Sequence, residues 1–355
     1  MAELEFHRDN HYVPILYLKS WSSSLGRTWI YRAFVSHDRI PLWKETSFKG
    51  VAYHTHLYTR VVAGQETDEF EKWLDREFES PAAEPLRKIS SGCNLKPSDW
   101  KHLNRFVASQ YIRTPAWYLR FMKRWERNGK QLLDKTLEDA VQAIETAQER
   151  GEPVERLIPL EGTEYIPIKT TVQSWDGHDE IVLKAQTMFG RGVWQFLMRQ
   201  MNKHAEILEC LRWSVLTPPS DMSWITSDDP VIRLNRHDSG GYDFNGGFGK
   251  KRSEILFPLN PRHLLYAQVG RNPRLRGLVH SQQAEDFQRY IAEHAHRLIF
   301  AASPDDDIQR LRPRVVNPEL VRSESEEWQK WHEKQTLAEQ QLMGSRNEKT
   351  EDQNG

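Results

Sequence analysis

The sequence predicts an α+β protein in which a helical N-terminal two-thirds packs on a mainly antiparallel sheet formed largely by the C-terminal third. Three observations carry this. Apolar residues recur at three- and four-residue spacing in several segments before residue 211. Short apolar runs bounded by turn residues dominate from residue 213 to 269. Thirteen Trp residues require a packed core or a binding surface, so the body of the chain is folded.

The first element begins at Pro14, which suits a first helical turn because its missing N–H would be unpaired there. Tyr17, Leu18 and Trp21 follow on one face. Residues 29–35 (Trp-Ile-Tyr-Arg-Ala-Phe-Val) and 51–61 read as extended segments rich in β-branched and aromatic residues. Phe70, Trp73, Leu74 and Phe78 line the next helix, with acidic residues at its start suiting the dipole. Pro97, Ser98 and Asp99 then open a helix through Leu103, Phe106, Val107, Gln110 and Tyr111. Pro115 interrupts it, and a second run continues through Trp125, giving a broken helical pair.

A charged surface helix is expected from Leu132 to about Glu149, and residues 151–180 read as a long excursion with short extended pieces. Helical periodicity returns from Met188 to Leu211. Strands follow around Trp213, Trp224, Val231, Ile255 and Leu264, with Gly240-Gly241 and Gly246-Gly247 marking a flexible loop. A last core helix is expected over 279–296 and a strand over 297–302. The domain reading is an N-terminal extension over 1–9, one globular unit over 10–318, and a polar, partly disordered tail over 319–355.

Forty-nine basic residues against fifty acidic ones supply no global attraction for nucleic acid or an anionic membrane. The two cysteines, Cys93 and Cys210, lack the spacing of a zinc site or disulfide framework. The start has no apolar h-region, and no apolar run approaches the ~18 residues of a spanning helix. Cytoplasmic localisation is therefore expected, without a membrane partner.

Chemistry is expected where polar residues interrupt apolar elements. Asp228 and Asp229 end a strand before Pro230, and adjacent carboxylates there can hold a divalent metal or act as a general base. The same Ser-Asp-Asp-Pro sequence also makes an ordinary Asx turn. Gln110 lies on the apolar face of its helix, and Arg113 sits at the helix break. That arginine suits an anionic substrate group, or a pair with Asp228 or Asp229. His11 can serve as acid, base, ligand or turn cap. His54 and His56 would share one strand face as a metal pair lacking a third ligand. Glu254 starts a strand without the Lys two positions on that metal-dependent nuclease cores use, Leu256 standing there. His204 and Glu209 do not form an HExxH helix, and no Walker loop, GxSxG elbow, kinase set or Rossmann fingerprint occurs.

Five pieces in order resemble domain-of-unknown-function family 4238, a group of mostly bacterial proteins. They are His11-Tyr-Val-Pro14 with Tyr17-Leu18, residues 71–77, Phe106 to Pro115, Ser227-Asp-Asp-Pro-Val231, and Phe257-Pro-Leu-Asn-Pro261. Asn260 stands where the family pattern has Ser. The resemblance covers roughly residues 10–302 and implies no activity of its own.

The leading expectation is an enzyme whose pocket combines His11, Gln110, Arg113, Asp228 and Asp229. Its carboxylates would hold a divalent metal for hydrolysis of an anionic phosphodiester, in a setting such as bacterial defence. The rival is a non-enzymatic interaction protein whose buried polar network fixes the fold while Trp328 and Trp331 dock a partner.

Overall fold

The computed structural model describes residues 8–62, 65–151, 168–174, 181–187, 193–337 and 340. Strands occur from Asp9–His11 to Val315–Val316, which overturns the expected division into a helical N-terminal two-thirds and a C-terminal sheet. The clearest case is a four-stranded antiparallel sheet ordered Thr226–Ser227, Leu298–Ala301, Thr28–Arg32, Trp43–Thr46. Two of its strands come from the N-terminal region, and Ile30 lies opposite Phe300. Pairing between such distant segments leaves no local pattern to read, because sheet stability rests on cross-strand neighbours.

The larger sheet runs Tyr242–Asp243, Ile232–Arg236, Glu254–Asn260, His263–Gln268, Ser214–Thr217, Arg276–Leu278. All neighbours in it are antiparallel except the last pair. Successive side chains of a strand point to opposite faces, and here both faces are covered. Ile255, Phe257 and Leu259 enter one hydrophobic cluster with Tyr17, Trp21, Phe78 and Phe106. Leu256 enters a second with Tyr31, Trp224, Phe287 and Tyr290. Tyr17 ties the sheets together: its hydroxyl donates to the Pro258 carbonyl at 2.5 Å and lies 2.7 Å from Thr226 Oγ1.

Glu69–Leu74 and Ser80–Ser90 are joined by a π-helical turn at Asp75–Glu79. Pro97–Ile112 follows, its start fixed by the Asp99 carboxylate, which accepts the Lys96 N–H at 2.8 Å and pairs with Lys88. The expected break falls at Arg113-Thr114. Pro115 opens the next helix, where its missing N–H costs nothing, and Thr114 Oγ1 accepts the Trp117 N–H at 3.2 Å as an N-cap. That helix runs unbroken through Pro115–Arg150, merging the two helical runs expected there. Within the excursion, Ile168–Ser174 pairs antiparallel with Ile181–Thr187, which lies just beyond it; residues 152–167 and 175–180 lie outside the described set.

Beyond residue 318 the expected tail carries a helix, Pro318–Gln329, capped by Asn317, whose Oδ1 accepts the Leu320 N–H. A further helical segment, 331–337, brings buried Trp331 edge-on to Tyr118 at 5.1 Å. Trp328 stacks on His54 at 3.9 Å. Both indoles face the body of the protein, so neither is a free docking group. Their burial is tertiary and invisible in a Glu- and Lys-rich stretch. Among the described residues, no helix is long and apolar enough to cross a membrane.

Candidate functional site

The two aspartates at the end of Thr226–Ser227 diverge. Asp228 is buried, and its carboxylate accepts the main-chain N–H groups of His296 (2.9 Å), Arg297 (2.8 Å) and Leu298 (3.0 Å). Burial pushes its carboxyl up to about 7, while these donors pull downward and the Asp229 charge adds to the rise. Its role is to order the turn entering Leu298–Ala301.

Asp229 is fully buried and turns the other way. Arg120 donates Nη1 to Oδ2 at 2.5 Å and Nη2 to Oδ1 at 3.3 Å, and Thr114 Oγ1 donates to Oδ1 at 3.4 Å. Burial acts upward on this carboxyl, but His294 and Arg120 outweigh it and hold it below the usual range. The oxygens of both aspartates are therefore taken by donors. The divalent ion expected at Asp228 and Asp229 finds no converging ligand set among the described residues, because consecutive residues project to opposite sides. Among the described residues, the grouping of three donors suited to a metal lies elsewhere, at His56, Glu66 and His332.

Arg113 meets neither aspartate. It is fully buried, donating Nη1 to Glu79 Oε1 at 2.5 Å and Nη2 to the His11 carbonyl at 2.6 Å. The π-helical turn sets Glu79 there; such turns often mark functional sites. Tyr58 donates its hydroxyl to the Arg113 carbonyl at 2.7 Å. Burial lowers the Arg113 pKa, but Glu79, Tyr58 and Glu71 raise it more. Glu71 is driven up to about 7 by burial, against the pull of Arg113 and with repulsion from Glu79, Asp75 and Asp68. Burial and Arg113 lower the His11 imidazole. The buried atoms that lack hydrogen-bond partners include His11 Nε2, Glu71 Oε2, Gln110 Oε1 and Arg113 Nε. His11 and Arg113 thus share one cluster and Asp229 belongs to another, while Gln110 has only a 3.5 Å contact to Ser109 Oγ. With both Nη atoms engaged, Arg113 is not placed to clamp a substrate anion.

The Asp229 side of the break carries residues that the sequence reading missed. His294, at the end of Ser281–His294, donates Nδ1–H to the Asp229 carbonyl at 2.9 Å. A carbonyl can only accept, so the proton sits on Nδ1 and Nε2 keeps its lone pair. Burial lowers the His294 pKa; Asp229 raises it and Arg120 lowers it further. Arg233, from the strand Ile232–Arg236, lies 4.5 Å from the Tyr111 ring centroid and 5.4 Å from that of Phe248. Among the described residues it has no carboxylate within ion-pair distance. Burial lowers its pKa, Tyr111 acts upward, Arg120 and Arg124 add repulsion, and Asp229 raises it. Several cations therefore surround one buried carboxylate, with the Arg120 side chain 47% exposed at the rim.

A family model described as protein of unknown function (DUF4238) matches residues 9–305. The chain is a member of the DUF4238 family. No curated protein and no solved structure matches it. The resemblance read from the five sequence pieces is thereby shown, and His332 falls outside the matched residues.

One cavity of the DUF4238 protein, about 630 Å³, lies apart from both clusters. Trp224, Gln288, Arg289, Asp305 and Arg310 are among its lining residues, and none of the predicted site residues is. The Gln288 amide there is engaged by Ile225, Ser223 and Asp305, so that wall is structural. Arg120 and Arg233 were missed because a lone Arg in a charged helix or a short strand carries no motif. His294 was read only as part of a core helix. Glu254 pairs with Arg236 at 2.5 Å, a structural role. His54 and His56 do not share a strand face: His56 leaves the strand Tyr53–Thr55 in a left-handed conformation at φ 59°.

Proposed function

We propose that this DUF4238 chain is a hydrolase for a phosphate-bearing anionic substrate, acting at the Asp229 side of the helix break. The observation that carries the reading is the half-buried Arg233 guanidinium, which among the described residues has no carboxylate within ion-pair distance, packed on Tyr111 and Phe248 and near Arg120 and His294. A desolvated cation whose nearby carboxylate, Asp229, is already paired with Arg120 is under-compensated, and a bound anion supplies the missing charge. Arg120 and Arg233 would hold the phosphate oxygens and neutralise charge developing on them. His294 Nε2 would take the proton from attacking water and return it to the departing alcohol oxygen. Asp229 keeps Nδ1–H pointed at its own carbonyl and balances Arg120. No ion at Asp228 and Asp229 is needed for these steps. A cytoplasmic phosphodiester, nucleic acid included, is the proposed substrate class, and bacterial defence the proposed setting.

Turnover of bis(4-nitrophenyl) phosphate and of a single-stranded oligonucleotide tests this. The wild type should hydrolyse at least one, and His294→Asn should reduce kcat by about 10²-fold or more with little change in Tm, the scale of lost general-base catalysis. Because the imidazole pKa is lowered, the acid limb of the rate profile should fall below the ordinary histidine value. No turnover, or equal rates in both proteins, would overturn the reading.

A second reading, a non-enzymatic scaffold, is favoured by one observation: Gln110, Arg113, Asp228 and Asp229 are no more than 3% exposed. It predicts that changes to these residues alter stability alone and that Arg233→Ala is silent.

A further inference from the structure

We infer that His56, Glu66 and His332 form a binding site for one divalent transition-metal ion of the zinc class, clasping the C-terminal helical segment to the N-terminal hairpin. One ligand atom from each lies within 4.8 Å of the others. His332 Nε2 is already 2.8 Å from Glu66 Oε1, and the imidazoles of His56 and His332 stack at 4.0 Å and 23°. Two ligands on one tetrahedral zinc stand about 3.3 Å apart, given bonds of roughly 2.0–2.1 Å. Closing the cluster around an ion therefore needs shifts within the reach of side-chain rotation.

Three features go beyond an ion pair. The donors are of the imidazole and carboxylate type that borderline divalent ions select. They come from three separate segments: the turn after Tyr53–Thr55, the strand Gln65–Thr67 that pairs with Arg60–Val62, and residues 331–337. His56 also has a hydroxyl within hydrogen-bond distance of its ring. Its left-handed backbone, uncommon for a residue with a Cβ, turns the ring out of the strand, and its Nδ1 lies 3.2 Å from Thr59 Oγ1. An Nδ1–H bond to that buried hydroxyl is the outer-shell arrangement that metal-bound histidines use. The site stays wet, with Glu66 36% and His332 29% exposed, so water can complete a set of three protein donors.

Trp328 and Trp331 hold this segment beside the site through His54 and Tyr118. The metal would thus add a fastening to helix packing already present, with His332, Trp328 and Trp331 outside the matched 9–305 region and His56 and Glu66 inside it.

The test uses the untagged full chain, stripped with chelator, titrated with Zn²⁺ by calorimetry and with Co²⁺ by visible absorption. Wild type should bind one ion per chain, give a tetrahedral Co²⁺ spectrum and gain Tm on zinc addition. His332→Ala and Glu66→Gln should lose the spectrum and the Tm gain. Thr59→Val should keep the site but weaken it about 10- to 100-fold. An unbound Co²⁺ spectrum with wild type, or equal binding by wild type and the two ligand variants, would overturn the assignment. A Tm drop in those variants that zinc leaves unchanged would reduce the cluster to an ion pair.

Discussion

Replacing Glu71 by Gln should stabilise the protein at alkaline pH and leave it unchanged near pH 4.5. The carboxyl is half-buried beside Arg113 and Glu79, and one oxygen has no hydrogen-bond partner. Burial, with repulsion from Glu79, raises its pKa from 4.5 to about 7. The folded protein therefore binds a proton that the unfolded chain has released between those values. Unfolding then releases that proton, so stability falls as pH rises across the window and is fully retained only below 4.5. The shift corresponds to about 3 kcal/mol, which partial water access reduces to about 2. Gln mimics the protonated acid and cannot ionise. Urea unfolding followed by Trp fluorescence from pH 4.5 to 8 should show Glu71→Gln and wild type diverging as pH rises, with the variant ahead by about 2 kcal/mol at pH 8. A pH-independent difference, or a less stable variant at pH 8, would refute the burial argument for this cluster.

Asp228→Asn should lower stability by about 1–3 kcal/mol in thermal melts, because an amide cannot accept all three N–H donors of His296, Arg297 and Leu298. An unaffected Tm would show that the nest does not hold the turn. Arg120→Ala leaves Asp229 buried without its guanidinium and should cost about 2 kcal/mol, less than a fully enclosed pair because Arg120 reaches solvent. Adding Asp229→Asn should recover part of that loss; strict additivity would contradict the pairing.

Local chemistry was legible in the sequence, and long-range geometry was not. Pro115 announces the helix break because a missing N–H and a ring clash act within one turn. Asp228-Asp229-Pro230 announces a strand end for the same local reason. The partner of Arg113 was not legible. Its burial demanded a carboxylate, for which Asp228 or Asp229 was expected, whereas the π-helical turn sets Glu79 there. Asp229 instead took Arg120, a residue with nothing to distinguish it among the charged positions of its helix. The placement of Thr28–Arg32 beside Leu298–Ala301 was hidden likewise, since each strand reads the same whichever edge it joins. Trp331 shows the limit of composition: a polar neighbourhood did not keep it out of the core.

Calorimetric titration of the full chain with inorganic phosphate at low ionic strength tests the anion site most directly. Wild type should bind one phosphate with an affinity that falls as salt rises. Arg233→Ala should weaken it at least about tenfold, the loss of one charge-assisted hydrogen bond. Equal affinities in the two proteins, or no binding by wild type, would contradict the assignment of Arg120, Arg233 and His294 to a functional site.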